Sequence, residues 1–362
     1  MQLSNRIEAI ASAAREFEWL SNLTPSGIWR WIELELGSLL DANTPQVYGD
    51  NHCSAQSLSP ILHIVSGNTP HAGIQSLTRG ILVGAKNRIK LPRKGLPELD
   101  HFVRLLPTEL KPEMSNSLHA NWMEEAEAIV IFGSDETVEF FAKHVLPCQR
   151  LVAYGHRISL GLVLGPFDEN VIEGAVRDVL VFDQLGCLSP QLYYIAGDSA
   201  EFARKLAERF NELFSSSSTV TEWTSEIAGS LRSCREEWKF RAATEAGVQV
   251  WESPDSLDWL VIHDPSPGLI SNPLYRTIFV KPIPSNLESV LYPIRRQIST
   301  IGVHPVDSRT AELAIHLGAQ RVCPVGGMQN PAVTWHHDGG PTLASLVRFV
   351  DIEGLEDDAF AG

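Results

Sequence analysis

Short apolar runs alternate with helical segments from residue 60 onward, and this alternation is the strongest constraint on how the chain can fold. Residues 128–132 have the unbroken apolar character of a buried strand, and residues 61–65, apolar except for one histidine, also predict a strand. Residues 70–83 follow the first run and begin with a proline, which is favoured in the first turn of a helix. Strands and helices in this order form parallel βαβ units, so the sequence predicts an α/β protein.

The same pattern continues along the chain. We expect further strands at 88–91, 151–154, 192–195, 248–251, 259–262, 277–280 and 321–324. We expect helices at 2–20, 135–145, 171–182 and 201–214, and another that Asp307 caps and that ends near Gly318. Serines 215–218 predict a surface loop, with a linker as the alternative, and residues 356–362 are expected to be frayed. Residues 21–59 carry no firm pattern.

Length and composition fit two globular domains. The chain has 362 residues, of which 44% are hydrophobic and 20% are charged, which is ordinary for a protein with a buried core. We expect one domain at 1–160, a second at 161–350 and a tail at 351–362.

Net charge and cysteine usage limit the partners and the compartment. The net charge of −15 disfavours nucleic acid and anionic membrane surfaces as partners. The five cysteines are scattered without metal-type spacing, which favours a reducing compartment over a disulfide framework. Charged residues interrupt the N-terminus, and no apolar run is long enough to span a bilayer. The sequence therefore predicts a cytoplasmic protein with no membrane span.

Five segments carry the chemistry. In chain order they are SGNTP (66–70), NRIKLP (87–92), IVIFGSDE (129–136), FDQLGCLSPQ (182–191) and RVCPVGGMQNPAVTWHHDGGP (321–341). Neither a GxGxxG fingerprint nor a Walker A loop is present in the sequence, so a nucleotide would have to bind by another arrangement.

In this order the segments resemble the aldehyde dehydrogenase superfamily, and within it the LuxC-type acyl-CoA reductases. The resemblance implies an aldehyde-dehydrogenase-like fold of two α/β domains, one binding the cofactor and one catalytic, with the active site between them. The catalytic domain would carry the nucleophilic cysteine. The N-terminal part is expected to be abbreviated relative to that superfamily.

Cys187 and Asn68 are the predicted catalytic residues. A cysteine that follows a glycine in a loop can approach a carbonyl closely and attack it as a thiolate. The Asn68 amide and the Cys187 backbone N–H could both donate to the resulting oxyanion. The alternatives are a small buried residue for Cys187, which we expect for the other four cysteines, and a turn residue before a helix for Asn68.

Lys90, Arg93, Gly133 and Ser134 are the predicted cofactor-binding residues. The resemblance places Lys90 at a cofactor ribose, and Gly133 and Ser134 open a helix whose free N–H groups attract phosphate. Arg93, with Lys94 beside it, stands where relatives that prefer NAD tend to have an acid. A basic residue there would pair with a 2′-phosphate, so we expect NADPH, with NADH as the alternative. A solvated lysine and an ordinary helix cap are the bland alternatives for Lys90 and Ser134.

The resemblance also makes Trp335, His336 and His337 a wall of the acyl or pantetheine site, with structural packing as the alternative. Two adjacent histidines without a third ligand at suitable spacing do not predict a metal site.

A missing acid indicates the reaction. Hydrolytic aldehyde dehydrogenases carry a glutamate between the Gly-Ser turn and the cysteine, and residues 140–167 of this chain contain no Asp or Glu. We therefore expect NADPH-dependent reduction of an acyl thioester, of CoA or of an acyl carrier and with a fatty acyl group, to an aldehyde through a cysteine-bound acyl group. The alternatives are a CoA-acylating aldehyde dehydrogenase and a non-reducing acyl-binding subunit. The protein could form a homo-oligomer or bind an acyl-transfer partner protein under each of these functions.

Overall fold

The computed structural model describes residues 1–40, 45–49, 51–215, 221 and 223–355. Serines 216–218 of the predicted loop and the predicted frayed end at 356–362 lie outside the described residues. The chain divides into two compact units, residues 1–156 with 332–362 (unit 1) and residues 157–331 (unit 2).

Both units are built from α-helices and β-strands joined by loops. The helices are α1 Leu3–Ala14, α2 Pro25–Leu36, α3 Pro70–Val83, α4 Pro97–Leu105, α5 Ala120–Glu125, α6 Asp135–Ala142, α7 Glu169–Leu180, α8 Ser199–Ser215, α9 Ser225–Thr244, α10 Leu287–Leu291 and α11 Ser308–His316. The strands are β1 Gln46–Tyr48, β2 Asn51–Ser57, β3 Ile61–Ile64, β4 Asn87–Lys90, β5 Glu113–Ser115, β6 Ala128–Phe132, β7 Arg150–Tyr154, β8 Ile158–Val163, β9 Pro190–Ile195, β10 Gln249–Glu252, β11 Leu260–His263, β12 Thr277–Pro282, β13 Ile298–His304, β14 Arg321–Pro324 and β15 Val347–Ile352.

Unit 1 is built on a parallel sheet with strand order β5-β4-β3-β6-β7. The central strands β3 and β6 are buried on both faces, as their largely apolar sequences predict: Val130 packs with Ile61 on one face, while Ile129 packs with Leu62 on the other. The connections leave β3 towards β4 and later return to its other side at β6. The sheet therefore has a topological switch point between β3 and β6, and ligands of open α/β sheets bind at the carboxyl ends of such strands.

The end of the described chain belongs to unit 1. Strand β15 pairs antiparallel with β2, which pairs with β1, in a small three-stranded sheet. The segment between β14 and β15 is anchored by Glu35 on α2, whose carboxylate accepts hydrogen bonds from the backbone N–H groups of Thr342, Leu343 and Ala344. The structure thus places residues 332–350 in unit 1, whereas the sequence-based boundaries put them in the second domain.

Unit 2 has a seven-stranded sheet with order β10-β11-β12-β9-β8-β13-β14, in which only the β10–β11 pair is antiparallel among the described strands. Its strands also bury both faces, and β9 illustrates this because Tyr193 and Tyr194 point into different apolar clusters. Asp307 caps α11 with a reciprocal pair of hydrogen bonds to Thr310, as its sequence position predicts.

The predicted α/β class is confirmed, with differences at element ends. The predicted helix over 2–20 ends at Ala14, and that over 135–145 ends at Ala142. The helix predicted over 171–182 ends at Leu180, because Val181 has an extended backbone with ψ 128° and Phe182 after it is left-handed with φ 53°. Strands β8 and β13 and helix α9 were not predicted from the sequence.

Candidate active site

Cys187 lies in the loop between α7 and β9 of unit 2 and is exposed. The loop stands at the amino ends of the parallel strands, where Ser159 of β8 is opposite Pro190 of β9. The Ser159 hydroxyl donates a hydrogen bond of 2.6 Å to the Cys187 carbonyl oxygen and accepts one of 3.2 Å from the Thr300 backbone N–H. A buried serine therefore ties the cysteine backbone to the sheet.

The loop before Cys187 is conformationally strained. Phe182, Asp183 and Gln184 have φ values of 53°, 54° and 65°, a left-handed run without a glycine. Such a conformation costs L-residues roughly 1–2 kcal/mol each, and it persists only where the surroundings impose it. Strain of this kind clusters at functional sites, which makes this loop a candidate site on structural grounds as well.

Side chains from the loop itself and from elsewhere in unit 2 hold the loop in place. The buried Gln184 amide donates to the Pro190 carbonyl oxygen at 2.8 Å. Gln329, beyond β14, donates to the Ser189 hydroxyl oxygen at 2.7 Å and to the carbonyl oxygen of Asp178 on α7 at 3.0 Å. Together they fix both ends of the segment that carries the thiol.

Asp178 is fully buried and organises the loop after β14. Its carboxylate accepts hydrogen bonds from the backbone N–H groups of Gly326 at 2.6 Å and Met328 at 2.9 Å. Burial raises the pKa of the Asp178 carboxyl to about 7, although the two N–H donors act in the opposite direction. This acid was not singled out from the sequence. Its signal is its position on the apolar face of α7, three residues after Ala175 and seven after Val171.

The other cysteines are placed differently. Cys53 and Cys323 are buried and Cys234 is half-buried, and burial raises the pKa of all three thiols, to about 11 for Cys234 and Cys323. These thiols are therefore poor nucleophiles near neutral pH. Cys148 is exposed like Cys187, in the turn before β7, and it offers a matched control.

Three predicted residues of unit 1 meet at the carboxyl edge of its sheet. Asn68 follows β3, Lys90 ends β4 and Gly133 follows β6, so they belong to three adjacent strands around the switch point. A Cβ atom on Gly133 would come within 3.0 Å of the Thr137 side chain, so glycine lets α6 start close to β6.

The side chains of Asn68 and Ser134 differ in their local hydrogen bonds. Asn68 is exposed, its side chain makes no hydrogen bond to the described residues, and the helix cap is Thr69. Ser134 caps α6 by accepting the Thr137 N–H at 3.3 Å. Two acids, Asp135 and Glu136, occupy the first turn of α6, and they oppose an anion at this end of the helix.

Arg93 and Lys94 are exposed in a turn closed by the hydrogen bond from the Gly95 N–H to the Pro92 carbonyl oxygen. The Asn116 side chain donates to the Arg93 carbonyl oxygen at 3.2 Å, which steadies the turn and leaves the guanidinium in solvent.

The predicted substrate residues 335–337 have three different environments. His337 is buried and Nδ1 accepts a hydrogen bond of 3.0 Å from Nη2 of Arg79, while its ring stacks on Trp335 at 4.6 Å. Trp335 is half-buried and His336 is exposed. Arg79, which the sequence did not indicate, is 3% exposed and also donates to the Tyr154 hydroxyl at 3.0 Å.

A narrow cleft opens beside this cluster within unit 1. The space inside it that can take a water molecule is only about 20 Å³, and the surrounding 400 Å³ of empty space includes the open solvent at its mouth. Apolar side chains, among them Trp31, Val333 and Trp335, form one wall, and Thr78 and Arg79 are part of the other. The lining mixes apolar and polar groups, but the enclosed space is no larger than about one water molecule needs.

Metal and membrane sites are not found in the described part of the chain. No group of three or more His, Cys, Asp or Glu side chains there could hold a metal ion. None of the helices there is both long and apolar enough to cross a bilayer.

The fold is that of an aldehyde dehydrogenase. The chain superposes on aldehyde dehydrogenase 21 from Physcomitrella patens with a TM-score of 0.69 at 10% identity, covering 97% of this chain and 86% of that one. The match to an aldehyde dehydrogenase from Brucella melitensis biovar abortus 2308 has a TM-score of 0.70 at 12% identity, covering 97% and 85%. The chain also matches the bifunctional proline utilization A protein with a TM-score of 0.69 at 16% identity, covering 97% of this chain and 43% of that longer one.

Sequence comparison identifies the family. The profile of the LuxC acyl-CoA reductases matches residues 6–349, and the chain belongs to this family. Relatives named long-chain acyl-protein thioester reductase are 26% identical in both Photorhabdus laumondii subsp. laumondii and Vibrio harveyi. The alignments cover 95% and 94% of this chain and 74% of each relative. The resemblance inferred from the five segments is confirmed, and so is the enzyme class.

Proposed function

We propose that this protein reduces an acyl thioester to the aldehyde, with Cys187 as the nucleophile and NADPH as the reductant. The observation that carries the proposal is the exposed Cys187, which follows a left-handed run of backbone in a loop that several hydrogen bonds hold in place. A family of acyl-CoA reductases and relatives named for acyl-protein thioesters support a thioester of CoA or of a carrier protein as the substrate.

The nucleophile's role follows from its surroundings. The Cys187 thiolate attacks the acyl carbonyl carbon, the C–S bond to the carrier breaks, and the carrier leaves as a thiol after taking up a proton. The hydrogen bonds of Ser159 to the Cys187 carbonyl oxygen and of Gln329 to Ser189 hold the backbone on both sides of the thiol, which lowers the entropy cost of reaching the acyl carbonyl. Asn68, whose amide makes no hydrogen bond to the described residues, is assigned as a donor to the oxyanion.

Residues at the carboxyl edge of the unit 1 sheet fit a nicotinamide dinucleotide. Lys90 ends a strand beside the switch point, and its side chain makes no ion pair with the described residues, so it can bind a ribose hydroxyl. Arg93 is exposed in the next turn and is assigned to a 2′-phosphate. Gly133 lets the backbone approach the dinucleotide closely. The support for Ser134 as a cofactor-binding residue is the weakest of the four, because the acids in the first turn of α6 oppose a phosphate there. When bound, NADPH would supply the hydride that the reduction consumes.

The open mouth of the cleft beside Arg79 is assigned to the acyl chain. Trp335 forms part of its apolar wall, whereas His337 is buried behind Trp335 and supports it. His336 is exposed and lies outside the residues that line the cleft. Of the three predicted substrate residues, Trp335 is therefore the one that we assign to direct contact.

The proposal is tested by following NADPH absorbance with a panel of acyl-CoAs of increasing chain length. Wild type should consume NADPH only when an acyl-CoA is present, and Cys187→Ala should abolish consumption. Cys148→Ala removes the other exposed thiol and should retain full turnover. Equal activity of wild type and Cys187→Ala would refute the role of the cysteine.

A wild-type protein that takes up an acyl group without consuming NADPH would instead be a non-reducing acyl-binding subunit. Net oxidation of aldehydes in the presence of CoA, with no measurable reduction of acyl-CoA, would assign the reverse direction.

A further inference from the structure

Arg276 is joined to the loop that carries Cys187. It lies just before β12, and its side chain is 11% exposed. Its Nε donates a hydrogen bond of 3.0 Å to Oδ1 of Asp183, and its Nη2 forms an ion-paired contact with the same oxygen. The guanidinium therefore holds the middle residue of the left-handed run at 182–184.

Arg276 belongs to a second run of the same kind. Leu274, Tyr275 and Arg276 have φ values of 67°, 52° and 63°, again without a glycine. Because two such runs are both unfavourable alone, the ion pair that connects them stabilises a local structure that neither segment would adopt by itself. Asn272 adds a second link, since it accepts the Leu274 N–H at 2.7 Å and donates to the carbonyl oxygen of Gln191, on β9, at 2.8 Å.

The rest of the guanidinium is held just as closely. Nη1 donates to the Thr221 hydroxyl at 3.2 Å and to the Asp258 carbonyl oxygen at 3.4 Å, and it lies 3.7 Å from the Asp258 carboxylate. The ring centroids of Phe214 and Trp223 lie 5.2 Å and 5.4 Å from its Cζ atom. These contacts require a planar fork with several directed N–H groups, and a lysine ammonium cannot reproduce it.

Short turns connect Asp183 to the cysteine. The Leu185 N–H donates to the Phe182 carbonyl oxygen at 2.9 Å, and the Ser189 N–H donates to the Gly186 carbonyl oxygen at 3.0 Å. A change in the backbone at Asp183 is thus passed on to Cys187 rather than absorbed by a slack segment.

We infer that Arg276 is a positioning residue, which fixes the direction of the Cys187 thiol through its ion pair with Asp183. The inference rests on the proposed role of Cys187 as the nucleophile. A displacement of about 1 Å in a reacting group lowers rates by about 10²-fold, so loss of this bridge should slow acylation without comparable weakening of substrate binding.

The test compares Arg276→Lys and Asp183→Asn with wild type and with a control. Arg204→Gln is the control, because it removes an ion pair on α8 of the same unit whose arginine is 43% exposed. Two reactions are measured on each protein. The first is pre-steady-state acylation by an acyl-CoA. The second is alkylation by iodoacetamide, scored by peptide mass spectrometry as the ratio of Cys187 to Cys148.

Arg276→Lys and Asp183→Asn should each slow acylation by about 10- to 100-fold, while KM for the acyl-CoA changes by less than about threefold. The alkylation ratio should fall by about threefold or more, and circular dichroism should match that of Arg204→Gln. The double variant Arg276→Lys/Asp183→Asn should be no slower than the slower single variant, because both changes break the same bridge.

A folded Arg276→Lys with acylation and alkylation within about twofold of wild type would overturn the inference. If Arg276→Lys fails to fold, Asp183→Asn decides the question, since it is nearly isosteric and its side chain is partly exposed. A wild type that is alkylated at Cys187 yet never acylated would refute the proposed function, whereas the alkylation ratio would still decide whether Arg276 positions the thiol.

Discussion

Asp178→Asn is the substitution whose effect can be worked out most fully from the structure. The residue is fully buried, and its carboxylate accepts two backbone N–H groups from the loop after β14. An asparagine keeps one acceptor oxygen but turns an NH₂ group towards the second N–H donor. A buried donor without an acceptor costs about 1–3 kcal/mol, so the variant should be destabilised where the wild-type carboxyl is protonated.

The difference between the two proteins should depend on pH. Burial raises the pKa of Asp178 from 3.8 to about 7 in the folded protein. The folded state therefore binds a proton that the unfolded state has lost between those values, and wild-type stability falls as pH rises. At about 1.4 kcal/mol for each pH unit, the loss is roughly 4 kcal/mol by pH 7 and is complete above it. The advantage of wild type over Asp178→Asn should therefore shrink as pH rises from 5 and reverse by pH 8, because the loss of roughly 4 kcal/mol exceeds the initial advantage of about 1–3 kcal/mol.

The assay is denaturant unfolding of both proteins from pH 5 to pH 8, with hydrogen exchange of residues 326–328 as the local measurement. Asp307→Asn is the control without pH dependence in this range, because hydrogen bonds from the Thr310 backbone lower the pKa of this exposed carboxyl below its ordinary value of 3.8. Its contribution is present above the unfolded pKa and is lost as pH falls. An advantage of Asp178 that stays constant or grows with pH would show that the carboxylate is ionised and held by its N–H donors, and the reasoning would be wrong.

Three further predictions concern the site. Asn68→Ala should lower turnover by roughly 10²–10³-fold without a change in folding, and near-full turnover would leave Asn68 as a turn residue. Arg93→Glu should lower the NADPH/NADH ratio of kcat/KM by about tenfold or more, because a charge-assisted bond to the 2′-phosphate is replaced by repulsion; an unchanged ratio would exclude the phosphate role. Trp335→Ala should reduce kcat/KM for long acyl-CoAs by about tenfold and much less for acetyl-CoA, because the wall contacts are worth about 0.8 kcal/mol per buried methylene. An equal loss for both substrates would place Trp335 outside the acyl site.

Strands β8 and β13 were not predicted, but parallel strands such as β3 and β6 were predictable, because each is a short, largely apolar run followed by helix signals. Strand β2 was not, since its sequence NHCSAQS is mostly polar. Its partner β15 lies almost the whole chain away, and a local pattern cannot indicate pairing over that distance. The same long-range pairing returns residues 332–350 to unit 1, so their unit could not be predicted from sequence position.

The sequence indicates a candidate site where chemistry depends on residue type and order. Cys187, Asn68 and Lys90 stand beside recognisable strand and turn signals. The hydrogen bonds and the ion pair that hold the cysteine loop were not predictable. Left-handed backbone at Phe182 and Arg276 has no sequence signal when glycine is absent. The ion pair between Asp183 and Arg276 depends on two loops that approach each other only when unit 2 is folded.

The central claim is that Cys187 carries the acyl group, and the most direct test is a covalent adduct. The protein is incubated with an acyl-CoA in the absence of NADPH, digested and analysed by peptide mass spectrometry. We expect a mass increase equal to the acyl group on the peptide that contains Cys187, and its disappearance when NADPH is added. An adduct on Cys148 or another residue, or an unmodified protein that still reduces the acyl-CoA on addition of NADPH, would contradict the account.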